Sequence, residues 1–260
     1  MPIRCTIWGE NIHEREDEAV AQIYPNGIHG AIADGLSEDS SIIAKTVTLQ
    51  DPEHGCTADL MAETDVLIWW GHAAHETVSE EVVERIVSNV WKGMGFIALH
   101  SAHFSKPFMR LMGSPCSLSW REAGERERIW VINRTHPIAR DLPSYFELEN
   151  EEMYGEPFSI PEPLETILIS WFQGGEVFRS GVTYQRGAGR IFYFRPGHET
   201  YPTYHNRTVQ LVLRNAVCWA ARVRRWDNIM NAPNVPVDAA PEPIVERGPK
   251  IHSPGEEGFR

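Results

Sequence analysis

A chain of 260 residues, 42% of them hydrophobic, is long enough to bury one sizeable core and lies near the length at which cores begin to divide. With 24 basic against 36 acidic residues the formal net charge is -12, which argues against an extended phosphate-binding surface and so against nucleic acid as a partner. No run of about 18 apolar residues is present to span a bilayer, and the expectation is a soluble protein with no membrane partner.

The chain enters a strand-like run, Ile3-Arg4-Cys5-Thr6-Ile7-Trp8-Gly9, without a signal-peptide pattern. Cys5, Cys56, Cys116 and Cys218 show no CxxC spacing, so the reading is a cytoplasmic protein with reduced, mostly buried thiols. Residues Glu16 to Leu36 read as a helix-rich connection interrupted at Tyr24-Pro25-Asn26-Gly27, followed by a strand from Ile42 to Leu49. Asp65-Val66-Leu67-Ile68-Trp69-Trp70-Gly71 is almost continuously apolar, the pattern of a central strand covered on both faces.

Ser79 caps a predicted helix carrying Val82, Val83, Ile86, Val87, Val90 and Trp91 at helical spacing, with Gly93 just past its end. Gly95 to Leu99 is the next strand. This alternation gives a doubly wound, mostly parallel α/β sheet. From Arg128 the pattern changes to strand-like runs at Ile129–Asn133, Glu165–Trp171, Val177–Tyr184 and Arg190–Phe194, the last two joined by a turn at Gln185-Arg186-Gly187-Ala188-Gly189. They form an antiparallel extension. A helix from Tyr204 to Ala221 packs back through Val209, Val212, Leu213, Ala216, Val217 and Ala220, which completes an α/β domain over residues 1–222. Residues 223–260 read as a proline-rich tail without a core of its own.

In an open α/β sheet the ligand crevice lies beyond the carboxyl ends of the strands. Histidines follow several of those ends: His13, His72 and His75, His100 and His103, and His198. The two His-x-x-His pairs, 72/75 and 100/103, can each place both rings on one helical face, yet they lack the glutamate of a zinc-protease motif. Glu147-Leu148-Glu149-Asn150-Glu151-Glu152-Met153-Tyr154 reads by charge as a solvated loop. It ends, however, in a carboxylate and a phenol suited to base catalysis and to oxyanion stabilisation. Pro196-Gly197-His198-Glu199 ends a strong strand and exposes the best single catalytic candidate, His198. A Ser101-His198-Glu199 triad is a further arrangement to weigh, although Ser101 is not within GxSxG. Gly9 lacks the remaining glycines of a dinucleotide fingerprint and no phosphate loop occurs, so no nucleotide cofactor is expected. His136, in Thr135-His136-Pro137-Ile138, reads as structural.

Taken in order, several of these segments bear a resemblance. His13 after the first strand, Leu99-His100-Ser101-Ala102, Thr135-His136-Pro137-Ile138, Glu151-Glu152-Met153-Tyr154, Gly189-Arg190-Ile191-Phe192-Tyr193 leading to Gly197-His198, and Asn215-Ala216-Val217-Cys218-Trp219-Ala220-Ala221 resemble the ThuA-like (trehalose utilisation) family over roughly the first 220 residues. The resemblance implies a flavodoxin-like fold within the class I glutamine amidotransferase-like superfamily. There the turn after a central strand carries a nucleophile; here it carries His100-Ser101 and no cysteine, and Glu199 follows His198 directly, so amidotransferase chemistry does not transfer.

The family implies a role in the catabolism of trehalose or a related disaccharide. The expected activity is that of an enzyme acting on a keto-sugar or glycoside by metal-assisted acid/base chemistry such as isomerisation. In that reading His13, His100 and His198 are candidate ligands of a divalent metal, zinc or manganese, and Glu152 is the base. Tyr154 donates to the developing oxyanion and Ser101 orients the sugar. A hydrolase using His-activated water or Ser101, and a non-catalytic sugar-binding or regulatory protein, are the alternatives. A homo-oligomer is expected from the tail and the abundance of aromatic residues.

Overall fold

Short apolar runs bounded by glycine and by helix caps set the order of elements in the computed structural model, which describes residues 2–221, 243, 245 and 247–257. Strand β1 (Ile3–Gly9) leads into three short helices, α1 (His13–Glu16), α2 (Glu18–Ile23) and α3 (Gly27–Leu36), and then into β2 (Ile42–Thr48). Helix α4 (Ala58–Glu63), β3 (Val66–Trp70), α5 (Glu80–Trp91), β4 (Gly95–Leu99) and α6 (Lys106–Met112) follow. The Ser79 side chain accepts from the Val82 N–H, the cap expected from the sequence. Five strands come next, β5 (Ser119–Val131), β6 (Tyr145–Gly155), β7 (Glu165–Phe172), β8 (Val177–Arg186) and β9 (Gly189–Phe194). Helix α7 (Arg207–Ala220) starts at an Asn206 side chain that accepts from Thr208 and Val209.

The nine strands of the described residues share one sheet in the order β2-β1-β3-β4-β9-β8-β7-β5-β6. From β2 to β9 the pairings are parallel, and from β9 to β6 they are antiparallel, so the fold is α/β with a mixed sheet that is parallel in its core. Alternate residues of β3 serve opposite faces, as the two-residue period of a strand requires. Ile68 and Trp70 pack with Ile28 and Ile32 of α3 and with Val212 and Val217 of α7. Leu67 and Trp69 pack with Val83 and Ile86 of α5 and Phe108 of α6. Helices therefore cover both faces of the parallel core.

The antiparallel part departs from the sequence reading. Strand β6 replaces the solvated loop expected over Glu147–Tyr154, and β5 begins ahead of the Ile129 start expected for it. Charge hid both strands. Phe146 and Leu148 are buried while Glu147, Glu149 and Asn150 are exposed, an alternation that fits a strand with one wet face. The outward charges pair across strands, as in Arg128 with Glu147 at 2.8 Å. A register shift between Arg121 and Glu127, where Gly124 adopts φ 64°, further breaks the alternation of β5.

Contacts divide the chain into Met1–Met230 and Asn231–Arg260. The boundary expected between residues 222 and 223 lies outside the described residues. Within the second unit, His252 Nδ1 and a Glu256 oxygen lie 2.7 Å apart across a turn.

Candidate active site

The crossover direction of the parallel strands reverses between β1 and β3, which opens a crevice beyond their carboxyl ends. Glu10, the first residue after β1, is fully buried there. Its carboxylate accepts three backbone N–H groups from the loop after β3, those of His72 (2.9 Å), Ala73 (2.8 Å) and Ala74 (2.9 Å). Three donors converging on one anion fix that loop and aim His72 into the crevice.

At the end of β4 the chain turns through His100, whose φ of 51° is left-handed and costs a non-glycine residue about 1 kcal/mol or more. The distortion places a fully buried imidazole at the crevice floor. Its Nδ1 lies 2.9 Å from the Arg195 carbonyl oxygen. A carbonyl only accepts, so Nδ1 carries a proton and Nε2 is the ring atom that faces the site. Beyond β9, Gly197 adopts φ 129°, and a Cβ there would stand 2.0 Å from the Tyr204 hydroxyl. Glycine is thus required to bring His198 and Glu199 over the crevice.

Two groups of three ligand-type side chains result among the described residues. In the first, His100 and Glu152 approach at 3.2 Å between Nε2 and Oε2, and the His198 ring centroid is 5.5 Å from that of His100. Thr200 Oγ1 holds His198 Nδ1 at 2.8 Å, and the Tyr154 hydroxyl lies 3.4 Å from His100 Nε2. In the second, Glu199 Oε1 lies 2.8 Å from His72 Nδ1 and 3.5 Å from His13 Nε2. The groups adjoin: the His72 and His198 ring centroids are 5.9 Å apart, and Glu199 Oε2 is 3.8 Å from His198 Nε2. Both combine two imidazoles with one carboxylate, the donor chemistry of a first-row divalent ion. Three of the atoms concerned, His13 Nε2, Glu152 Oε2 and Glu199 Oε2, are buried without an aligned hydrogen-bond partner, which fits atoms awaiting a ligand.

The electrostatics sort the groups by role. Burial pushes the Glu152 carboxyl up, but the close approach of His100, with His198 and His72 beyond it, prevails and holds it below the usual carboxylate range. Glu199 behaves alike and is held at about 2, with His72 its main partner. Burial and the neighbouring His100 lower His198, which favours a neutral imidazole able to ligate or to accept a proton. Burial also works against a charge on His72, yet Glu199 outweighs it and raises that group. Tyr154 is pushed well above 10 by burial and by Glu152, so its phenol keeps its proton and remains a donor.

A cavity of about 260 Å³ opens over the first group, with His72, Ser101, Glu152, Tyr154 and His198 in its wall. Phe104 and Trp120 line it as well and remain 39% and 63% exposed. Of the residues singled out from sequence, His100, Glu152, Tyr154 and His198 come together, whereas His13 joins His72 and Glu199. Neither His-x-x-His pair stays together in one ligand group. His103 Nδ1 turns to the Cys116 carbonyl at 2.7 Å. Ser101 Oγ donates to the Gly71 carbonyl at 2.8 Å, and Glu199 engages His72, so the Ser101-His198-Glu199 relay is not assembled. His136 caps a short turn by accepting from the Ile138 N–H.

Sequence reasoning missed Glu10 and, behind the site, the buried Glu127 and Arg195, and it named Glu151 only as part of the acidic segment. Their signal was position: Glu10 follows Gly9 at the end of β1, and Arg195 follows Phe194 at the end of β9.

A family model described as ThuA, trehalose utilisation, matches residues 4–220. No curated protein matches the chain. Among solved structures, one described as a ThuA-like protein of Bacteroides uniformis is similar at 16% identity and a TM-score of 0.61, covering 84% of this chain and 91% of that one. Another ThuA-like protein, from Parabacteroides merdae, gives 16% identity and 0.60 over 88% and 94% of the two chains. A cytoplasmic protein from Salmonella typhimurium gives 12% identity and 0.58 over 85% and 99%. At these identities the likeness is one of fold.

Proposed function

Because the chain belongs to the ThuA family, whose description as trehalose utilisation implies a carbohydrate-related role, we propose that it is an enzyme of disaccharide catabolism acting on a keto-sugar or glycoside by metal-assisted acid/base chemistry, isomerisation being the reaction that fits best. The observation that carries this reading is the meeting of Glu152 and Tyr154 of β6 with His100, just past β4, and His198, beyond β9, beside one cavity. The parallel order β2-β1-β3-β4-β9 supports a flavodoxin-like reading of the scaffold. A cytoplasmic homo-oligomer without a nucleotide cofactor completes the proposal, its oligomeric state to be read by light scattering.

His100, Glu152 and His198 would hold a divalent ion, zinc or manganese, which when bound polarises a carbonyl and the neighbouring hydroxyl. Glu152 has a second carboxylate oxygen, which takes the proton from the carbon beside the carbonyl and returns it to the former carbonyl carbon, so that carbonyl and hydroxyl exchange places. Tyr154, kept protonated, donates to the oxygen on which charge develops. Ser101, with its proton committed to Gly71, offers lone pairs to a sugar hydroxyl and so orients the substrate.

Mass spectrometry and NMR of keto-disaccharides incubated with the full chain and zinc or manganese test the proposal. A product of unchanged mass is expected, with Glu152→Gln at least 100-fold slower and its circular dichroism retained. Gain of water would establish the hydrolase instead, and saturable binding without conversion would establish a binding protein; either overturns isomerisation.

A further inference from the structure

The ligand set expected from sequence, His13 with His100 and His198, is divided by the fold between two adjoining groups. We infer that the crevice is a two-ion centre, in which His13 and His72 hold a second divalent ion and Glu199 bridges it to the ion held by His100, Glu152 and His198. This rests on the reading that the first group takes an ion, and on nothing about the sugar.

Three observations converge on it. Glu199 faces both groups with different oxygens: Oε1 stands 2.8 Å from His72 Nδ1 and 3.5 Å from His13 Nε2, while Oε2 stands 3.8 Å from His198 Nε2. A carboxylate with one oxygen in each group can join ions about 3.5–4 Å apart. Second, Oε2 of Glu199 and Nε2 of His13 are buried and make no hydrogen bond, although each stands within 4 Å of an opposite-type ligand atom. Leaving such atoms unpaired costs about 1–3 kcal/mol each, a cost that a shared cation removes. Third, the backbone that carries the second group is itself held in place. Glu10 fixes the loop that carries His72 through its three backbone acceptor contacts, and Gly197 fixes the turn that carries Glu199. Two imidazoles and a shared carboxylate on each side favour a first-row transition ion over calcium or magnesium, which prefer all-oxygen shells.

Occupation of the second position replaces the proton between His72 and Glu199 by the ion.

The test uses the full chain purified without a histidine tag, stripped with chelator and equilibrated with zinc or with manganese. Inductively coupled plasma mass spectrometry is expected to find two ions per chain in the wild type and one in His72→Ala. The partly exposed His13→Gln, which spares the core if His72→Ala fails to fold, should weaken the second ion at least 10-fold. Electron paramagnetic resonance of the manganese form should show exchange coupling in the wild type and an isolated six-line spectrum in His13→Gln. One ion in the wild type, lost in His100→Ala and untouched by His72→Ala, overturns the two-ion centre and leaves the metal part of the proposed function standing. No ion in the wild type overturns both. Two coupled ions with no action on any keto-sugar uphold the centre and reject the proposed substrate.

Discussion

The Arg195 guanidinium donates through Nη1 to the carbonyl oxygen of Glu152 at 2.7 Å, so a fully buried cation behind the site grips the backbone of the residue assigned as base. The same group pairs with Glu127 and, at 3.3 Å, with Glu151. Burial raises the Glu127 carboxyl against the pull of Arg195. Two buried carboxylates around one guanidinium are tolerated only while the cation is present. Arg195→Met is therefore expected to cost about 3–5 kcal/mol in urea unfolding. Adding Glu127→Gln and Glu151→Gln should restore at least half of that loss. Equal stability of the single and triple variants would show that the charges are not what Arg195 balances.

Glu10 performs a comparable task at the front of the site. Replacing it by Ala strands three N–H groups that now share one anion, and hydrogen bonds to a charged group contribute about 1.5–3 kcal/mol each. A loss of at least about 3 kcal/mol is expected, with faster hydrogen exchange at His72, Ala73 and Ala74. Exchange unchanged at those three amides would mean that other contacts hold the loop.

What was legible in the sequence followed solvent exposure. The strands buried on both faces, Val66–Trp70 and Gly95–Leu99, read as uninterrupted apolar runs, and the helix beginning after Ser79 read by its spacing and its cap. Strand β6 did not, because Glu147, Glu149 and Asn150 point to water and outweigh Phe146 and Leu148 in any local sum. At the site, strand ends located the histidines but not their partners. His13 is as close in sequence to a strand end as His198 is, yet it pairs with Glu199, a contact across the sheet that local spacing does not encode. The buried ion pairs of Arg195 were equally hidden, since a lone charged residue after a strand looks the same whether it faces water or two carboxylates.

Acid stability provides a test with a definite sign. Burial holds His103 at about 3, far below the 6.5 of an unfolded histidine. Between those values the unfolded chain binds a proton that the folded chain refuses, so stability falls as pH drops from about 6.5 towards 3 and levels off below. From pH 6.5 to pH 5 this one group accounts for about 1–2 kcal/mol. His75 and His198 are also lowered and act in the same direction, whereas His72 is raised and opposes them. Urea melts of wild type and His103→Gln at pH 7, 6 and 5 isolate the contribution: the variant should lose less stability on acidification. Parallel pH profiles for the two proteins would show that His103 is protonated in the folded state.

The mouth of the cavity bears on specificity. Trp120 is 63% exposed and Phe104 39%, although both line the pocket together with Glu152, Tyr154 and His198. A large aromatic face left wet beside a polar pocket has little reason of stability to be there, and aromatic anchors of this kind carry binding energy when a ligand covers them. Under the proposed function, the apolar face of a sugar ring would cover that surface. Trp120→Ala should therefore raise KM for the keto-sugar about 10-fold, roughly 1.4 kcal/mol of binding, with kcat within about two-fold and the melting temperature unchanged. Trp120→Phe should recover most of the loss, because a face and not a hydrogen bond is what the sugar would meet. An unchanged KM in Trp120→Ala would place the second sugar unit elsewhere, and a fall in kcat alone would put Trp120 among the residues that order the reacting centre.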